Sequence, residues 1–258
     1  MDTLTRRAFV KVPEITAVFW ITKLLTTAMG EATSDFFVFS INPYIAVFLG
    51  GVGLAVSLVL QFSVRKYVPW IYWFTVVMVA VFGTMVADVL HIQFGIPYFV
   101  TTVFFVIALV AVFVIWHNSE KTLSIHSIYN PRREMFYWAT VMATFALGTA
   151  AGDMTATTIG LGYLTSSILF SALIMIPAIA YWLFNLNKIA AFWIAYILTR
   201  PIGASFADWM SKPKNISGLA LGNGHVSLGL TLIIIVFVGY MTFRKTESRL
   251  GQTNLTRR

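Results

Sequence analysis

The stretch that decides the fold reads Tyr72-Trp73, then Gly83-Thr84, then Ala87-Asp88. Its pattern is an aromatic residue before a Trp, a Gly ten residues after that Trp, and an Asp fifteen residues after it. The pattern occurs four times, as Phe19-Trp20, Gly30 and Asp35; Tyr72-Trp73, Gly83 and Asp88; Tyr137-Trp138, Gly148 and Asp153; and Phe192-Trp193, Gly203 and Asp208. The copies follow one another at intervals of 53, 65 and 55 residues. Such regular spacing predicts four versions of one structural unit.

The composition is that of an integral membrane protein. Of 258 residues, 58% are hydrophobic and 11% are charged, whereas about 25% of the residues in a soluble domain are charged. The chain has no Cys, which excludes disulfides, thiolate metal sites and thiol redox chemistry. The first long apolar segment starts near Pro13 and carries the first copy of the pattern, so we interpret it as a span and not as a cleavable signal peptide.

Eight segments are long and apolar enough to cross a bilayer core of ~30 Å at ~1.5 Å per residue. They lie at about 14–38, 43–64, 69–92, 97–116, 134–158, 162–184, 188–211 and 225–243. The predicted fold is therefore an all-α integral membrane protein, with eight transmembrane helices arranged as four parallel two-helix repeats around a pseudo-fourfold axis. The prediction divides a single transmembrane domain, 1–258, into repeats at about 13–66, 67–117, 132–185 and 188–243, followed by a basic cytoplasmic tail at 244–258.

Lys and Arg are concentrated on one side of the predicted spans. Only Lys212 and Lys214 fall on the other side. By the positive-inside rule, both termini are expected in the cytoplasm. The net charge of +8 then reflects topology and requires no nucleic acid partner. The basic residues on the cytoplasmic side are Arg6, Arg7, Lys11, Arg65, Lys66, Lys121, Arg132, Arg133, Lys188, Arg244, Lys245, Arg249, Arg257 and Arg258.

The repeated Trp and Asp mark two depths along each signature helix. The Trp residues fall at the predicted cytoplasmic ends, which is typical of an aromatic belt at the membrane interface. Fifteen residues at ~1.5 Å place each Asp ~22 Å further along, in the outer third of the membrane or in a funnel leading to it. In a structural role, each carboxylate would accept hydrogen bonds from the next span or its loop. In a functional role, the four would form a ring that attracts cations.

Polar and small residues share one face of each signature helix. Positions three, seven and eleven after the Trp lie on this face and include Lys23, Glu31 and Arg200. We expect these three residues to form a central charged network that is either structural or gates by exchanging partners with a proton or ion. Pro201 is expected to kink its helix. The even-numbered spans are apolar all round and are predicted to form an outer shell.

Acidic and hydroxyl side chains of the signature helices are the predicted ion path or substrate-binding residues. They are Asp35, Asp88, Asp153, Asp208, Glu31, Thr84 and Thr149. Hard divalent ions take carboxylate and hydroxyl oxygens, so manganese is the preferred substrate, with protons and monovalent cations left open. His91 follows Asp88 by three residues, which makes the pair a further metal-ligand candidate. A single His near a helix end is, however, more often an interfacial residue.

The four signatures resemble a family of bacterial membrane proteins described as a repeat of unknown function. The most complete copy runs from Trp20 through Gly30-Glu31 to Ser34-Asp35. In that family, four tandem copies each supply two transmembrane segments and a characteristic Trp. The resemblance covers about residues 13–243 and implies this architecture in a bacterial cytoplasmic membrane. It implies no catalytic or binding residues.

The leading hypothesis from the sequence is a transporter or channel for a small inorganic cation in the lipid bilayer. A carrier is favoured over an open pore because Lys23 and Arg200 would block free cation flow. No cofactor is expected beyond a metal cation bound as substrate. The alternative is a non-transporting membrane scaffold or partner-binding protein. An enzyme is disfavoured, and no catalytic residues are assigned, because the chain has no Ser-His pair, no His cluster and no Gly-x-Gly-Asp motif. The oligomeric state stays open, since one chain already supplies eight spans.

Overall fold

The computed structural model describes residues 10–255, with side chains described as far as Arg244. Within this range the regular secondary structure is entirely helical. The predicted basic residues Arg6 and Arg7, and the side chains of the predicted basic tail from Lys245 onward, lie outside the described part of the chain.

Nine α-helices between residues 10 and 255 follow the predicted spans closely. They are α1 (Ala17–Ser40), α2 (Pro43–Ser63), α3 (Pro69–Asp88), α4 (Tyr98–Glu120), α5 (Pro131–Asp153), α6 (Tyr163–Leu173), α7 (Met175–Phe184), α8 (Lys188–Ser211) and α9 (Asn223–Leu255). Helices α3 and α5 continue as π-helical turns, Val89–Gln93 and Met154–Thr158. Short 3₁₀ turns occupy Ile125–Ser127 and Lys214–Ile216.

Local sequence determines where several helices begin. Pro43 and Pro131 occupy the first helical position, where a missing N–H group costs nothing. The side chains of Asn42 and Asn130, one residue earlier, accept hydrogen bonds from backbone N–H groups two and three residues further on. The residues that interrupt the apolar pattern in the sequence therefore start the next helix.

Two helices respond differently to an internal Pro. The predicted span at 162–184 is divided into α6 and α7, because Pro177 cannot donate a hydrogen bond to the carbonyl group of Leu173, the last residue of α6. Helix α8, in contrast, continues through Pro201.

Six helical segments within residues 10–244 are long and apolar enough to cross a membrane. They are Pro43–Ser63, Pro69–Gln93, Tyr98–Glu120, Tyr163–Phe184, Lys188–Ser211 and Asn223–Arg244. The other two predicted spans, α1 and α5, carry more charge. Helix α1 contains Lys23, Glu31 and Asp35, and α5 begins with Arg132, Arg133 and Glu134 in its first turn. By length and composition the chain is a multi-pass membrane protein.

The four helices that carry the signature, α1, α3, α5 and α8, form a closed ring. Helix α1 contacts α3, α3 contacts α5, α5 contacts α8, and α8 contacts α1 again. The aromatic residue before each Trp packs against the Trp of the next repeat, as Phe19 does on Trp73 with ring centroids 5.8 Å apart. The other three pairs are Tyr72 with Trp138, Tyr137 with Trp193, and Phe192 with Trp20.

The signature Gly residues allow these helices to approach closely. Gly30 lies against Ala80 and Gly203 lies against Thr27, and a Cβ atom at either Gly would overlap its neighbour. Each neighbour is the residue seven after the Trp of the next repeat, and the remaining pairs are Gly83 with Phe145 and Gly148 with Arg200. Each repeat contacts the next through the same pair of positions, both at the aromatic residues and at the Gly residues. The four helices therefore run in the same direction. We call the two ends of this ring the Trp end and the Asp end.

The other helices form an outer layer, and each packs on the signature helix of the following repeat. Helix α2 lies on α3, α4 on α5, α6 and α7 on α8, and α9 on α1. Their outward side chains are exposed and apolar, as at Phe48, Phe104, Trp182 and Val236. The predicted outer shell is confirmed.

The prediction of an interfacial Trp belt is wrong for three of the four signature Trp residues. Trp73, Trp138 and Trp193 are only 1–4% exposed, and Trp20 is partly buried. The reason is the ring itself, since each Trp packs beneath an aromatic side chain of the preceding repeat. These residues are part of the protein core.

The segment before α1 closes the Trp end of the ring. The Lys11 N–H group donates to the Ile128 carbonyl oxygen at 2.9 Å. The Lys11 Nζ atom pairs with Glu134 Oε2 at 2.6 Å, and Gln61 donates to Glu134 Oε1 at 2.8 Å. All three side chains are buried, and the Glu134 carboxylate has both a counter-charge and a hydrogen-bond donor.

Candidate functional site

Glu31 lies at the centre of a group of buried acids at the Asp end. Its carboxylate forms one group with Asp35 and Asp88 and a second with Asp153 and Asp208. Within each group, the oxygen atoms that can bind a cation lie within 4.8 Å of one another. All five side chains are buried. We call these five residues the carboxylate cluster, and it brings together the four aspartates whose spacing repeats in the sequence.

The repeat explains why these acids converge. Each Asp occupies the same position of a signature helix, and the four helices run in the same direction in one ring. Glu31 lies four residues before Asp35, which is one turn or ~6 Å closer to the Trp end. Only the first copy has an acid at this position, so Glu31 reaches the middle of the ring from one side.

Arg200 is the counter-charge of Glu31. Its guanidinium group is fully buried, and Nη2 donates to Glu31 Oε2 and to Thr149 Oγ1, both at 2.5 Å. The same nitrogen donates to the Thr84 hydroxyl group. One side chain thereby joins all four signature helices, and it occupies the two Thr hydroxyl groups predicted to line an ion path.

Lys212 neutralises part of the cluster from beyond the end of α8. It forms an ion pair with Asp35, and its Nζ atom lies 3.5 Å from Asp208 Oδ1. Burial alone would lower the pKa of Lys212, but the Asp208 and Asp35 carboxylates outweigh that effect and raise it well above its ordinary value. Lys212 therefore remains charged at neutral pH. Asn223, the first residue of α9, also donates to Asp35 at 3.5 Å.

Asp88 and Asp153 differ from the other aspartates. Within residues 10–244, neither carboxylate has an ion-pair partner or accepts a hydrogen bond, whereas Asp35 and Asp208 share Lys212. A buried carboxylate without a counter-charge is costly. These two acids, on α3 and α5, are therefore the part of the cluster best placed to take a cation.

Lys23 does not join the pair formed by Glu31 and Arg200, so the structure divides the predicted charged network. Among the described residues, its Nζ atom has no hydrogen-bond partner. It lies 4.0 Å from the centroid of the Phe145 ring and 4.3 Å from that of Tyr196. Phe145 also packs on Arg200, with Cζ 5.4 Å from its ring centroid. Lys23 is separated from the pair of Arg200 and Glu31 because the Phe145 ring contacts both Lys23 and Arg200.

Asp88 and His91 are not brought together as a metal site. The His91 ring stacks on Tyr98 with centroids 3.6 Å apart, and its Nδ1 atom lies 2.9 Å from the Ile96 carbonyl oxygen. The π-helical turn from Val89 to Gln93 also changes the spacing assumed for an α-helix. In the described part of the chain, the groups of three potential metal ligands contain carboxylates only.

The repeat matches a known family. Residues 18–67, 71–122, 136–186 and 191–247 match the model of a family described as Repeat of Unknown Function (DUF347). The chain belongs to this family. Each DUF347 segment contains most of one signature helix together with most or all of the outer helix or helices that follow it. No curated protein and no solved structure matches the chain.

Sequence reasoning missed two groups of residues that shape this DUF347 site. Lys212 follows Asp208 by four residues, a helical spacing that signals a pair on one face. Phe145 and Tyr196 occupy positions seven and three after their Trp residues, the same face that carries Lys23 and Arg200. Because they occupy the same repeat positions as Lys23 and Arg200, the sequence could have predicted that they lie at the site.

Proposed function

We propose that this protein is a carrier for a small cation, with a divalent metal such as manganese as its preferred substrate. The supporting observation is the convergence of five buried carboxyl groups in two sets that share Glu31. Rings of acidic side chains select cations, and hard divalent ions prefer carboxylate and hydroxyl oxygens. The five acids outnumber the two bases Arg200 and Lys212, so a bound cation would supply the positive charge that the remaining carboxylates lack.

The membrane arrangement belongs to the same proposal. All eight long helical segments cross the bilayer of a bacterial cytoplasmic membrane about a pseudo-fourfold axis, with both termini in the cytoplasm. Helices α1 and α5 carry more charge than an ordinary span, but Lys23, Glu31 and Asp153 are buried within the ring. The Asp end is then the outer mouth and the Trp end faces the cytoplasm.

A cation would first meet Asp88 and Asp153, which have no counter-charge of their own among the described residues. It would next compete with Arg200 for the carboxylate of Glu31. Arg200 then releases the hydroxyl groups of Thr84 and Thr149, which become available as ligands. Because Arg200 and the Phe145 ring lie across the path, a cation passes only when these groups move. This favours a carrier over an open pore.

A membrane scaffold without transport is the second candidate. Arg200 with Glu31, and Lys212 with Asp35, join the first repeat to the last, and tying helices together is all that a scaffold requires. The absence of such ties at Asp88 and Asp153, within the described residues, favours the carrier.

Flux of manganese, zinc, potassium and protons into liposomes that contain the purified protein distinguishes the two candidates. Asp88→Asn and Asp153→Asn are the test variants, and Glu14→Gln, an exposed acid far along the chain from the cluster, is the matched control. A carrier loses flux in both test variants and keeps it in the control, while all three proteins remain folded. If no cation crosses under a gradient and a membrane potential, the scaffold replaces the carrier.

A further inference from the structure

Lys23 is a buried basic residue that takes no part in the proposed cation site. Its side chain is 1% exposed, and within residues 10–244 no carboxylate forms an ion pair with it. The rings of Phe145 and Tyr196 lie over its Nζ atom instead of an acceptor oxygen. A lysine inside a membrane bundle normally finds a counter-charge or marks a path for ions or protons.

Three tyrosines lie at the level of Lys23 or nearer the Trp end, since Tyr196 occupies the same position of its helix as Lys23, and Tyr72 and Tyr137 directly precede a signature Trp. The hydroxyl groups of Tyr72 and Tyr137 are 2.5 Å apart. The Tyr196 hydroxyl lies beside that of Tyr137 without a well-formed hydrogen bond. All three side chains are at most 1% exposed. A Tyr hydroxyl group both donates and accepts hydrogen bonds, so a row of them passes a proton without moving any heavy ion.

The groups that act on Lys23 come from two other helices of the ring. Helix α5 contributes the Phe145 ring, and α8 contributes the Tyr196 ring and the positive charge of Arg200. The nearest acid on its own helix is Glu31, eight residues or ~12 Å further along. Since Arg200 is the charged neighbour and Glu31 is already paired with it, the charge on Lys23 is opposed by a cation and balanced by no anion.

Phe145 lies between Lys23 and the carboxylate cluster. Its ring contacts Lys23 and also Arg200, which holds Glu31 in the carboxylate cluster. The Asp end therefore offers carboxylate oxygens to a cation, whereas the region around Lys23 offers an amine and tyrosine hydroxyl groups, which can hold and pass a proton.

We propose that Lys23 is the proton-binding residue of the carrier, and that the hydroxyl groups of Tyr196, Tyr137 and Tyr72 conduct its proton to and from the Trp end. This inference rests on the proposed carrier function and adds its coupling ion. The protein exchanges a cation for a proton, because the two charges exclude each other across Phe145.

The exchange balances in protons, and with a divalent ion it adds one net positive charge to the site. When a cation binds at Glu31, the Lys23 ammonium group moves from the face of the Tyr196 ring to its hydroxyl oxygen and gives it one proton, and that hydroxyl passes its own proton to Tyr137 and then to Tyr72. Lys23 is left as a neutral amine, and one proton leaves at the Trp end. A divalent ion ~12 Å away, at an effective dielectric constant of ~20, weakens proton binding at Lys23 about a hundredfold. When the cation leaves, Lys23 takes a proton back by the same route.

The first test measures binding and proton release together. Manganese is added to the purified protein in lightly buffered detergent, with bound metal determined by equilibrium dialysis and released protons by a pH-sensitive dye. Lys23→Met should bind manganese and release about one proton fewer per ion than the wild type. The matched control is Lys11→Met, which removes a buried lysine that pairs with Glu134 far from the cluster, and it should release as many protons as the wild type.

The outcomes separate this inference from the function on which it rests. Manganese binding with equal proton release from the wild type and Lys23→Met would overturn the role of Lys23 and leave the carrier standing. Absence of manganese binding in the folded wild type would overturn the carrier, and the proton coupling with it.

The second test concerns the route. In liposomes with a manganese gradient and a pH dye inside, Tyr137→Phe should slow proton counterflow at least tenfold while manganese binding in detergent is unchanged. Tyr44→Phe is the control, because this exposed Tyr lies outside the ring. Proton counterflow at the wild-type rate in Tyr137→Phe would overturn the hydroxyl route, and manganese flux without proton counterflow in the wild type would overturn the coupling.

Discussion

The Asp end and the Trp end of the same four helices have opposite chemistry. At the Asp end, five carboxyl groups share two cations, Arg200 and Lys212, and two of the acids have no partner in the described part of the chain. At the Trp end, aromatic side chains from all four signature helices pack together, and the Glu134 carboxylate is paired with Lys11 and accepts a hydrogen bond from Gln61.

This difference separates two kinds of buried polar group. The buried acid at the Trp end, Glu134, has both a counter-charge and a hydrogen-bond donor, whereas Asp88 and Asp153 in the carboxylate cluster have neither among the described residues and are therefore available to a ligand. Phe145 packs where the two meet. The following changes alter one half at a time.

The largest effect is expected at the pair that joins all four helices. Arg200→Met leaves the Glu31 carboxylate buried without its counter-charge and should cost about 3–5 kcal/mol of stability. Thermal unfolding in detergent measures the loss. The double variant Arg200→Met/Glu31→Gln should recover most of it, because the orphaned charge is removed as well. Equal melting temperatures for the single and double variants would show that the pair of Arg200 and Glu31 does not hold the ring together. Wild-type stability and transport in Glu31→Gln would show the same.

The second largest effect is expected from removal of the Phe145 side chain, which lies between Lys23 and Arg200. Phe145→Ala leaves a cavity between Lys23 and Arg200 and should cost about 3 kcal/mol. It should also let water join the two halves, so that liposomes leak protons without a cation gradient. Phe48→Ala, at a side chain that is 70% exposed on the outer layer, is the control and should do neither. If liposomes containing Phe145→Ala do not leak protons, another part of the protein forms the barrier to protons.

A smaller effect is expected at the mouth of the cluster. Lys212→Met frees the carboxylates of Asp35 and Asp208, and it should tighten manganese binding about tenfold. Equilibrium dialysis at low and high salt measures this, and the gain should shrink with salt. Lys214→Met alters an exposed lysine on the same connection and should leave the affinity unchanged. Weaker binding in Lys212→Met would assign Lys212 to holding the site in shape.

The smallest effect concerns one hydroxyl group. Tyr72→Phe removes the hydrogen bond to Tyr137 and should lower the free energy of unfolding by about 1 kcal/mol. Manganese affinity should not change, since the cluster lies at the other end of the ring. A drop in affinity would mean that the two halves are coupled more tightly than their separation by Phe145 indicates.

The architecture followed largely from the sequence because it is repeated. A spacing shared by four copies places the four Asp residues at one level of four parallel helices, whatever the details of packing. The apolar segments predicted the helices to within a few residues at most ends, because Pro43, Asn130 and similar residues both interrupt the apolar pattern and start the next helix.

The details of the site did not follow, because they depend on side chains from neighbouring helices. A helical projection places Lys23, Arg200 and Glu31 on one face, but it does not show that Phe145 from α5 packs against both Lys23 and Arg200. Nor does it show that Trp73 lies beneath Phe19 of the preceding repeat and away from the interface. The sharing of Lys212 between two aspartates was missed because it involves the connection after α8.

The packing of each outer helix on the following repeat has a consequence for biosynthesis. While the ribosome delivers the chain, α2 must remain without its main neighbour until α3 is inserted, and each later repeat completes the one before it. Helix α1 is made before the other signature helices, yet it is covered by α9 and paired through Glu31 with Arg200, both in the fourth repeat. Lys23 and Glu31 therefore lack their final surroundings until the fourth repeat has been made, and the ring of signature helices cannot close before then.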